Sequence, residues 1–234
     1  MDVDPDLASL VPAEDRPMAR NRAAARVERL EPGPWRFQPL GHPSAFGLLV
    51  LDGLLGVRVA IGDEGHLEVL GEGDVLRPWV DTTPDASVPS QVVWEILEPT
   101  RVALLDERFA HGVAPWPQIA AALMHRMIVR VRRLSFQLAL AGISRVDERV
   151  LIVLWHFADR WGSVTPRGVD LPLCLTHGQL AEVVRAARPT VSKAIGELRE
   201  RGALSVERRG AVWTLHGDPP PSVEELEKYV GLER

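Results

Sequence analysis

The stretch Thr176–Arg201, THGQLAEVVRAARPTVSKAIGELRER, constrains the chain more than any other, because it spells two helices joined by a tight turn. Thr176, followed three residues later by Gln179, is a capping box in which each side chain satisfies an amide that the new helix leaves unpaired. Leu180 and Val184 give this helix an apolar face. After a break at residues 185–187, Pro189 falls where a first helical turn tolerates a missing amide, and Val191, Ile195 and Leu198 repeat at helical spacing. The opposite face of this second helix carries Arg188, Ser192 and Lys193 near its N-terminus, where a helix laid in the major groove of DNA meets base edges and phosphates. Taken alone, the pattern is also that of an ordinary helical hairpin.

The charge distribution weighs on this choice. The net charge of −5 averages over unlike regions. Residues 46–114 hold 12 acids against 4 arginines, residues 118–145 hold five arginines and no acid, and residues 176–217 hold 7 cations against 4 glutamates. An acidic front and a basic rear suit one sensing part and one polyanion-binding part, although a small basic excess is also what a solvated face carries. At 234 residues the chain accommodates two modest domains. Cys174 is the only cysteine, which forbids an intrachain disulfide and argues against a cysteine-ligated iron–sulfur cluster or structural zinc. No apolar run approaches the roughly 20 residues that span a bilayer, and MDVDPDLASL lacks the order of a signal peptide, so a cytoplasmic protein with no membrane partner is expected.

Residues 1–30 read as an N-terminal arm: 1–18, acidic and proline-bearing, loose, and 19–30, rich in Ala and Arg, a short helix. Between Trp35 and Phe109, short apolar runs separated by Gly, Pro and Asp read as at least six strands of a sandwich or barrel. Beyond Pro117 the period changes, and Ile119, Leu123, Met127, Val131, Leu134 and Leu138 form one helical seam. A helix of about 25 residues, roughly 37 Å long, follows. Its seam pairs with a second copy of the chain or packs on its own domain; the two-fold symmetry of helix-turn-helix proteins on palindromic sites favours the dimer. DERVLIVLWHFADRW is a further amphipathic helix ended by Gly162, and residues 203–215 read as a hairpin with a basic tip, a wing beside the two-helix stretch. Ser222 and Glu225 form a capping box that starts a short acidic tail helix with no assigned role.

The order of β-roll, long helix and winged helix-turn-helix resembles the CRP/FNR family of bacterial transcription regulators over about residues 35–217. LVLDGLLGV and LGEGDVL resemble the strands of the family's effector domain, LEPTRVALLDERF its closing strands, and DERVLIVLWHFADRWG its hinge and first C-terminal helix. LTHGQLAEVVRAARPTVSKAIGELRERGALSVERRG resembles its helix-turn-helix and wing and is the most specific match. The resemblance implies an α+β fold: an N-terminal β-roll of the cyclic-nucleotide-binding, jelly-roll type, a long dimerisation helix and a C-terminal winged helix-turn-helix. On that frame residues 31–114 are the effector-sensing domain, 115–142 the dimerisation helix, 143–217 the DNA-binding domain and 218–234 a tail. It further implies a homodimer on a palindromic operator in double-stranded DNA, RNA polymerase as a further partner, and a small-molecule effector whose identity is open. The competing function is a regulatory interaction module that keeps the fold without specific DNA binding or ligand response.

Carried over residue by residue, the resemblance assigns base contacts to Arg188, Pro189, Ser192 and Lys193. Arg188 is suited to a bidentate pair with guanine O6 and N7, and Lys193 to guanine or a phosphate. Pro189 departs from the family pattern, in which a carboxylate at this position accepts from cytosine, so the best-known family operator is not expected. Thr176, His177 and Thr190 match backbone-contacting positions, and Arg208 and Arg209 on the wing add phosphate contacts. Arg185 stands at a turn position often held by glycine; a left-handed conformation there costs about 1–2 kcal/mol.

The effector side matches less well. Cyclic-nucleotide-binding members carry a Gly-Glu-Leu turn and an Arg-Ser/Thr-Ala motif that hold the cyclic phosphate, and RPWVDTTPDASVPSQ has neither, which argues against cyclic AMP. Arg130 and Ser135 occupy ligand-facing positions of the long helix, while Leu134 replaces a hydrogen-bonding residue. Arg77, Trp79, Trp94, Arg130 and Ser135 are therefore candidates for a pocket holding another anionic or aromatic molecule, with salt bridging to the acidic β-domain as the competing use of the arginines. The seven histidines show no metal-binding spacing. A haem sensor would need axial ligands, for which only lone histidines such as His66 or His111 offer themselves. No nucleophile elbow, P-loop or GxGxxG accompanies a suitable strand and helix, so no enzyme is expected.

Overall fold

In the computed structural model, which describes residues 4–37, 46–62, 64–78, 87–207 and 212–220, the chain divides into two units, residues 1–135 and 136–234. The first is built on eight antiparallel strands: β1 (Arg26–Leu30), β2 (Gly33–Trp35), β3 (Gly47–Asp52), β4 (Leu54–Ile61), β5 (Glu64–Gly71), β6 (Val75–Leu76), β7 (Gln91–Ile96) and β8 (Thr100–Leu105). They form two four-stranded sheets with orders β1-β8-β3-β6 and β2-β7-β4-β5. Consecutive side chains of a strand point to opposite faces. Leu48, Val50, Val102 and Leu104 accordingly join one core with Leu55, Val57 and Ile96 of the second sheet. Leu49, Leu51, Ala103 and Leu105 fall on the other face, against helices. Burial on both faces is why GLLVLD reads as an unbroken apolar run. The turn between β3 and β4 requires Gly53: its φ is +85°, and a Cβ there would lie 2.3 Å from the carbonyl oxygen of Pro99.

The helices on that outer face are α1 (Pro5–Ser9), α2 (Arg16–Arg22), α3 (Glu107–Val113) and the start of α4 (Pro117–Leu140). The loose arm expected for residues 1–18 is corrected over its described part, from residue 4 onward. Pro5 and Pro17 stand in the first turns of α1 and α2, where proline favours a helix start, and the Asp4 carboxylate caps α1 by accepting from the Leu7 amide at 3.2 Å. Leu7, Val11, Ala19 and Ala23 are buried. The short helix expected over 19–30 is also corrected: α2 ends at Arg22, and residues 26–30 pair with β8, Arg26 opposite Leu104 and Leu30 opposite Thr100. Sheet pairing overrides the helix propensity of Ala and Arg there.

The second unit holds the end of α4, then α5 (Val146–Trp161), β9 (Ser163–Thr165), β10 (Gly168–Leu171), α6 (His177–Val184), α7 (Arg188–Glu200), β11 (Leu204–Glu207) and β12 (Val212–Leu215). The expected hairpin is β11–β12, with Val206 opposite Trp213, and β10 and β9 extend it to the order β11-β12-β10-β9. Trp213 is fully buried, and its indole N–H donates to the Leu173 carbonyl at 2.9 Å, which fastens the hairpin to the segment leading into α6. The expected tail helix lies outside the described residues. No described helix is long and apolar enough to cross a membrane.

Candidate nucleic-acid interface

The capping box forms as the sequence requires: the Thr176 hydroxyl accepts from the Gln179 amide at 3.1 Å, and the Thr176 amide donates to the Gln179 side chain at 2.9 Å. Four residues of α6, Leu180, Ala181, Val183 and Val184, are buried, as are Val191, Ala194, Ile195 and Leu198 of α7. The two helices therefore lock through their apolar faces and leave the start of α7 outward. Arg188, Pro189, Thr190 and Lys193 are exposed there, and Ser192 is half-buried. Lys193 is 80% exposed and lies 3.6 Å from Glu197, a contact that does little to hold it. Thr176 is exposed beside this surface, and His177 is half-buried with Nδ1 3.0 Å from the Ser192 hydroxyl oxygen. Arg208 and Arg209, expected at the wing tip, lie outside the described residues.

Between the helices Arg185 has φ 52° and ψ 57°, the left-handed conformation that costs a non-glycine residue about 1–2 kcal/mol. The structure supplies a brace that the sequence did not disclose. Arg149 of α5 donates through Nη1 to the carbonyl oxygens of Val184 at 2.7 Å and Arg185 at 3.1 Å. Those are acceptors that the end of α6 leaves open.

A second brace is also new. Asp147, buried in the first turn of α5, accepts from Arg145 at 2.7 Å and from Arg201 at the C-terminal cap of α7 at 2.8 Å. Hydrogen bonding from Arg145 holds the Asp147 carboxyl below its ordinary value against the opposing effect of burial, and Arg201 adds to the lowering. An acid flanked by an arginine two residues earlier was the available signal. Its second partner, 54 residues on, is a product of the fold.

Along α4 the expected seam separates into two parts. Ile119 and Leu123, each 1% exposed, are corrected from the dimer set, because they are enclosed in the core of their own unit with Phe109 and Leu105. Met127, Val131 and Leu138 are exposed, joined by Met124 and Ile128, and Leu134 is half-buried. The arginines of the same helix turn to carboxylates. Arg126 donates to Asp4 at 2.9 Å, Arg130 grips Glu68 at 2.8 and 2.7 Å, and Arg133 meets Asp74 at 2.5 Å. Asp74 also accepts the Gly71 amide at 2.9 Å, which closes the turn of the LGEGDVL stretch.

The candidate effector residues occupy different settings. Arg130 is closed onto the buried Glu68, the competing use considered for it. Trp94 is corrected from pocket lining to inter-sheet core, where it sits edge-on to Trp35 at 5.9 Å. The Ser135 hydroxyl donates to the Val131 carbonyl of its own helix at 3.1 Å. Arg77 is half-buried, and Trp79 lies outside the described residues. Elsewhere in the unit, a cavity of about 240 Å³ lies between the N-terminal helices and the outer face of the β1-β8-β3-β6 sheet, lined by Leu7, Ala23, Leu49, Ala103, Leu105 and Phe109 among others. Among the described residues no group of three or more His, Cys, Asp or Glu is placed to hold a metal ion.

The described elements run from an antiparallel β-unit through a long helix into a capped helix-turn-helix with a basic start to its second helix. Residues 148–216 match the Crp-like helix-turn-helix domain family. The chain is 25% identical over 174 residues, 74% of its length and 77% of the relative's, to the CRP-like cAMP-activated global transcriptional regulator of Mycobacterium tuberculosis. It shares its fold with a cyclic nucleotide-binding domain containing protein from Listeria monocytogenes (TM-score 0.66, 16% identity, 92% and 97% of the two chains). The same holds for FixK2 from Bradyrhizobium japonicum (TM-score 0.61, 19% identity, 83% and 93%). Residues 148–216 are thus similar to a Crp-like helix-turn-helix domain, and the relative matched over three quarters of the chain is a CRP-like transcriptional regulator.

Proposed function

We propose that the chain is a cytoplasmic homodimer that binds a palindromic operator through α7 and does not answer to cyclic AMP. The observation that carries the reading is the start of α7, where Arg188 and Lys193 stand exposed on a helix whose opposite face is buried against α5 and α6. A helix N-terminus bearing a guanidinium, a hydroxyl and an ammonium is equipped for guanine edges and phosphates. Pro189 in the same turn offers no acceptor to cytosine, so the preferred operator differs from one read by a carboxylate there. Thr176, His177 and Thr190 take the adjoining phosphates, with Arg208 and Arg209 reaching the backbone from the wing.

The exposed stripe Met124, Met127, Ile128, Val131 and Leu138 is the surface that pairs α4 with its copy; its spacing near 3.5 residues is that of a two-stranded seam. The relative from Mycobacterium tuberculosis is named as cAMP-activated. This chain lacks the Arg-Ser/Thr-Ala phosphate motif, and Arg130 is closed onto Glu68, so a different effector, or none, is proposed. RNA polymerase is the proposed further partner at promoters. The test is binding of the full-length protein to promoter fragments of its own genome across a salt series. A preferred site bound on the order of 10³-fold more tightly than random duplex is the expected result; equal affinity for all sequences overturns the reading.

A further inference from the structure

His177 and Ser192 meet where α6 and α7 cross. His177 is the first residue of α6 and Ser192 lies in the second turn of α7, with imidazole Nδ1 3.0 Å from the hydroxyl oxygen. The ring also lies beside Trp213 of β12, centroid to centroid 6.4 Å, so it is set between the second helix and the wing strand. A hydroxyl carries one hydrogen and two lone pairs, and a neutral imidazole carries one N–H and one lone pair. A bond between them leaves each with a restricted offer to any third partner.

We infer that His177 determines which base edge Ser192 reads. This rests on the proposed placement of α6 over the DNA backbone and α7 in the major groove. Phosphate oxygens only accept, so a ring that touches one does so through Nε2–H. A neutral ring with its hydrogen on Nε2 has its lone pair on Nδ1, and the Ser192 hydroxyl hydrogen is then directed to that nitrogen. What Ser192 turns to the groove is lone pairs alone. Among bases the major groove offers donors only at adenine N6 and cytosine N4. Ser192 therefore favours adenine or cytosine at the base it faces and disfavours guanine and thymine. A serine with no such partner rotates its hydrogen to suit either kind of edge, so the histidine converts a tolerant side chain into a selective one.

The test is selection from a randomised duplex library by the full-length protein and by His177→Phe, Ser192→Ala and the double variant, with His177→Gln as a second probe, since its amide swivels to present either a donor or an acceptor. The expected result is one position in each half-site at which the wild type favours adenine or cytosine by about three- to tenfold. That preference flattens in Ser192→Ala, in His177→Phe and in His177→Gln. The double variant behaves as Ser192→Ala alone, and positions read by Arg188 keep their preference. The salt dependence of His177→Phe is expected to match wild type.

A Ser192-dependent preference that persists when the adenine is replaced by purine, or the cytosine by 2-pyrimidinone, which lack the amino donor, overturns the inference. So does a loss of affinity in both His177 variants that leaves the preference at the Ser192 position intact, or a salt slope lowered by about one, which marks a charged ring on phosphate. If the wild type selects a sequence but Ser192→Ala changes nothing, this inference fails while reading by Arg188 stands. If the wild type selects no sequence at all, it is the proposed function that fails.

Discussion

In the N-terminal unit the arginines of α4 face acids at short range: Arg126 with Asp4, Arg130 with the buried Glu68, and Arg133 with Asp74, which is 1% exposed. In the C-terminal unit Arg188 is exposed and has no ion pair among the described residues, and Lys193 has only Glu197 at 3.6 Å. The same chemical group thus serves two ends, and its surroundings decide which. Where a carboxylate is buried, a guanidinium must neutralise it, and the pair is structural. Where the neighbours are apolar residues turned inward, the cation remains available to a polyanion.

The contrast is broken most forcefully at Arg133. Arg133→Ala leaves the Asp74 carboxylate buried without its cation, and a loss of about 3–5 kcal/mol in the stability of the N-terminal unit is expected in denaturant unfolding. An unchanged midpoint would place that pair with the weak surface contacts. Arg188→Ala should do the reverse. It costs about 1–3 kcal/mol of discrimination at one operator position, read by competition binding, and leaves the thermal midpoint where it was.

Asp147 tests a paired acid inside the C-terminal unit. Its folded carboxyl lies below the ordinary aspartate value, so the unfolded chain binds the proton more readily. The stabilisation from Arg145 and Arg201 is therefore present above about pH 4 and is lost as pH falls through the folded value. Asp147→Asn should flatten the acid limb of stability against pH for the C-terminal unit, measured by circular dichroism from pH 2 to 6. The smallest effect is expected at Arg185→Gly. Relief of the left-handed strain, offset by the greater backbone freedom of glycine in the unfolded state, gives a gain below about 1 kcal/mol in equilibrium unfolding.

The helix-turn-helix was legible because its signals are local: Thr176 and Gln179 cap within four residues, Pro189 marks a first turn, and the apolar spacing follows from the helix period. The strands β3 and β8 were legible as short apolar runs bounded by Gly, Pro and Asp, which is also a local signal. The N-terminal helices were not, because proline in acidic sequence looks like loose chain until Leu7, Val11 and Ala19 find the outer face of a sheet. The seam on α4 showed its period but not its partners; Ile119 and Leu123 share that period with Met127 and Val131 yet are buried in their own unit. The strands β9 and β10 are three and four residues long, too short for alternation to register. The braces at Arg149 and Asp147 depend on groups about 35 and 54 residues away, which no spacing rule reaches.

The N-terminal helices have a consequence for the order in which the chain acquires its structure. Asp4 waits for Arg126, Asp15 for the Trp116 indole, and β1 for β8, contacts separated by 122, 101 and about 75 residues. At synthesis rates of roughly 5–20 residues per second, the first helix emerges about 6–24 seconds before its arginine exists. The segment made first is therefore among the last to be fixed, and until the start of α4 is made the cover of the sheet's outer face is incomplete.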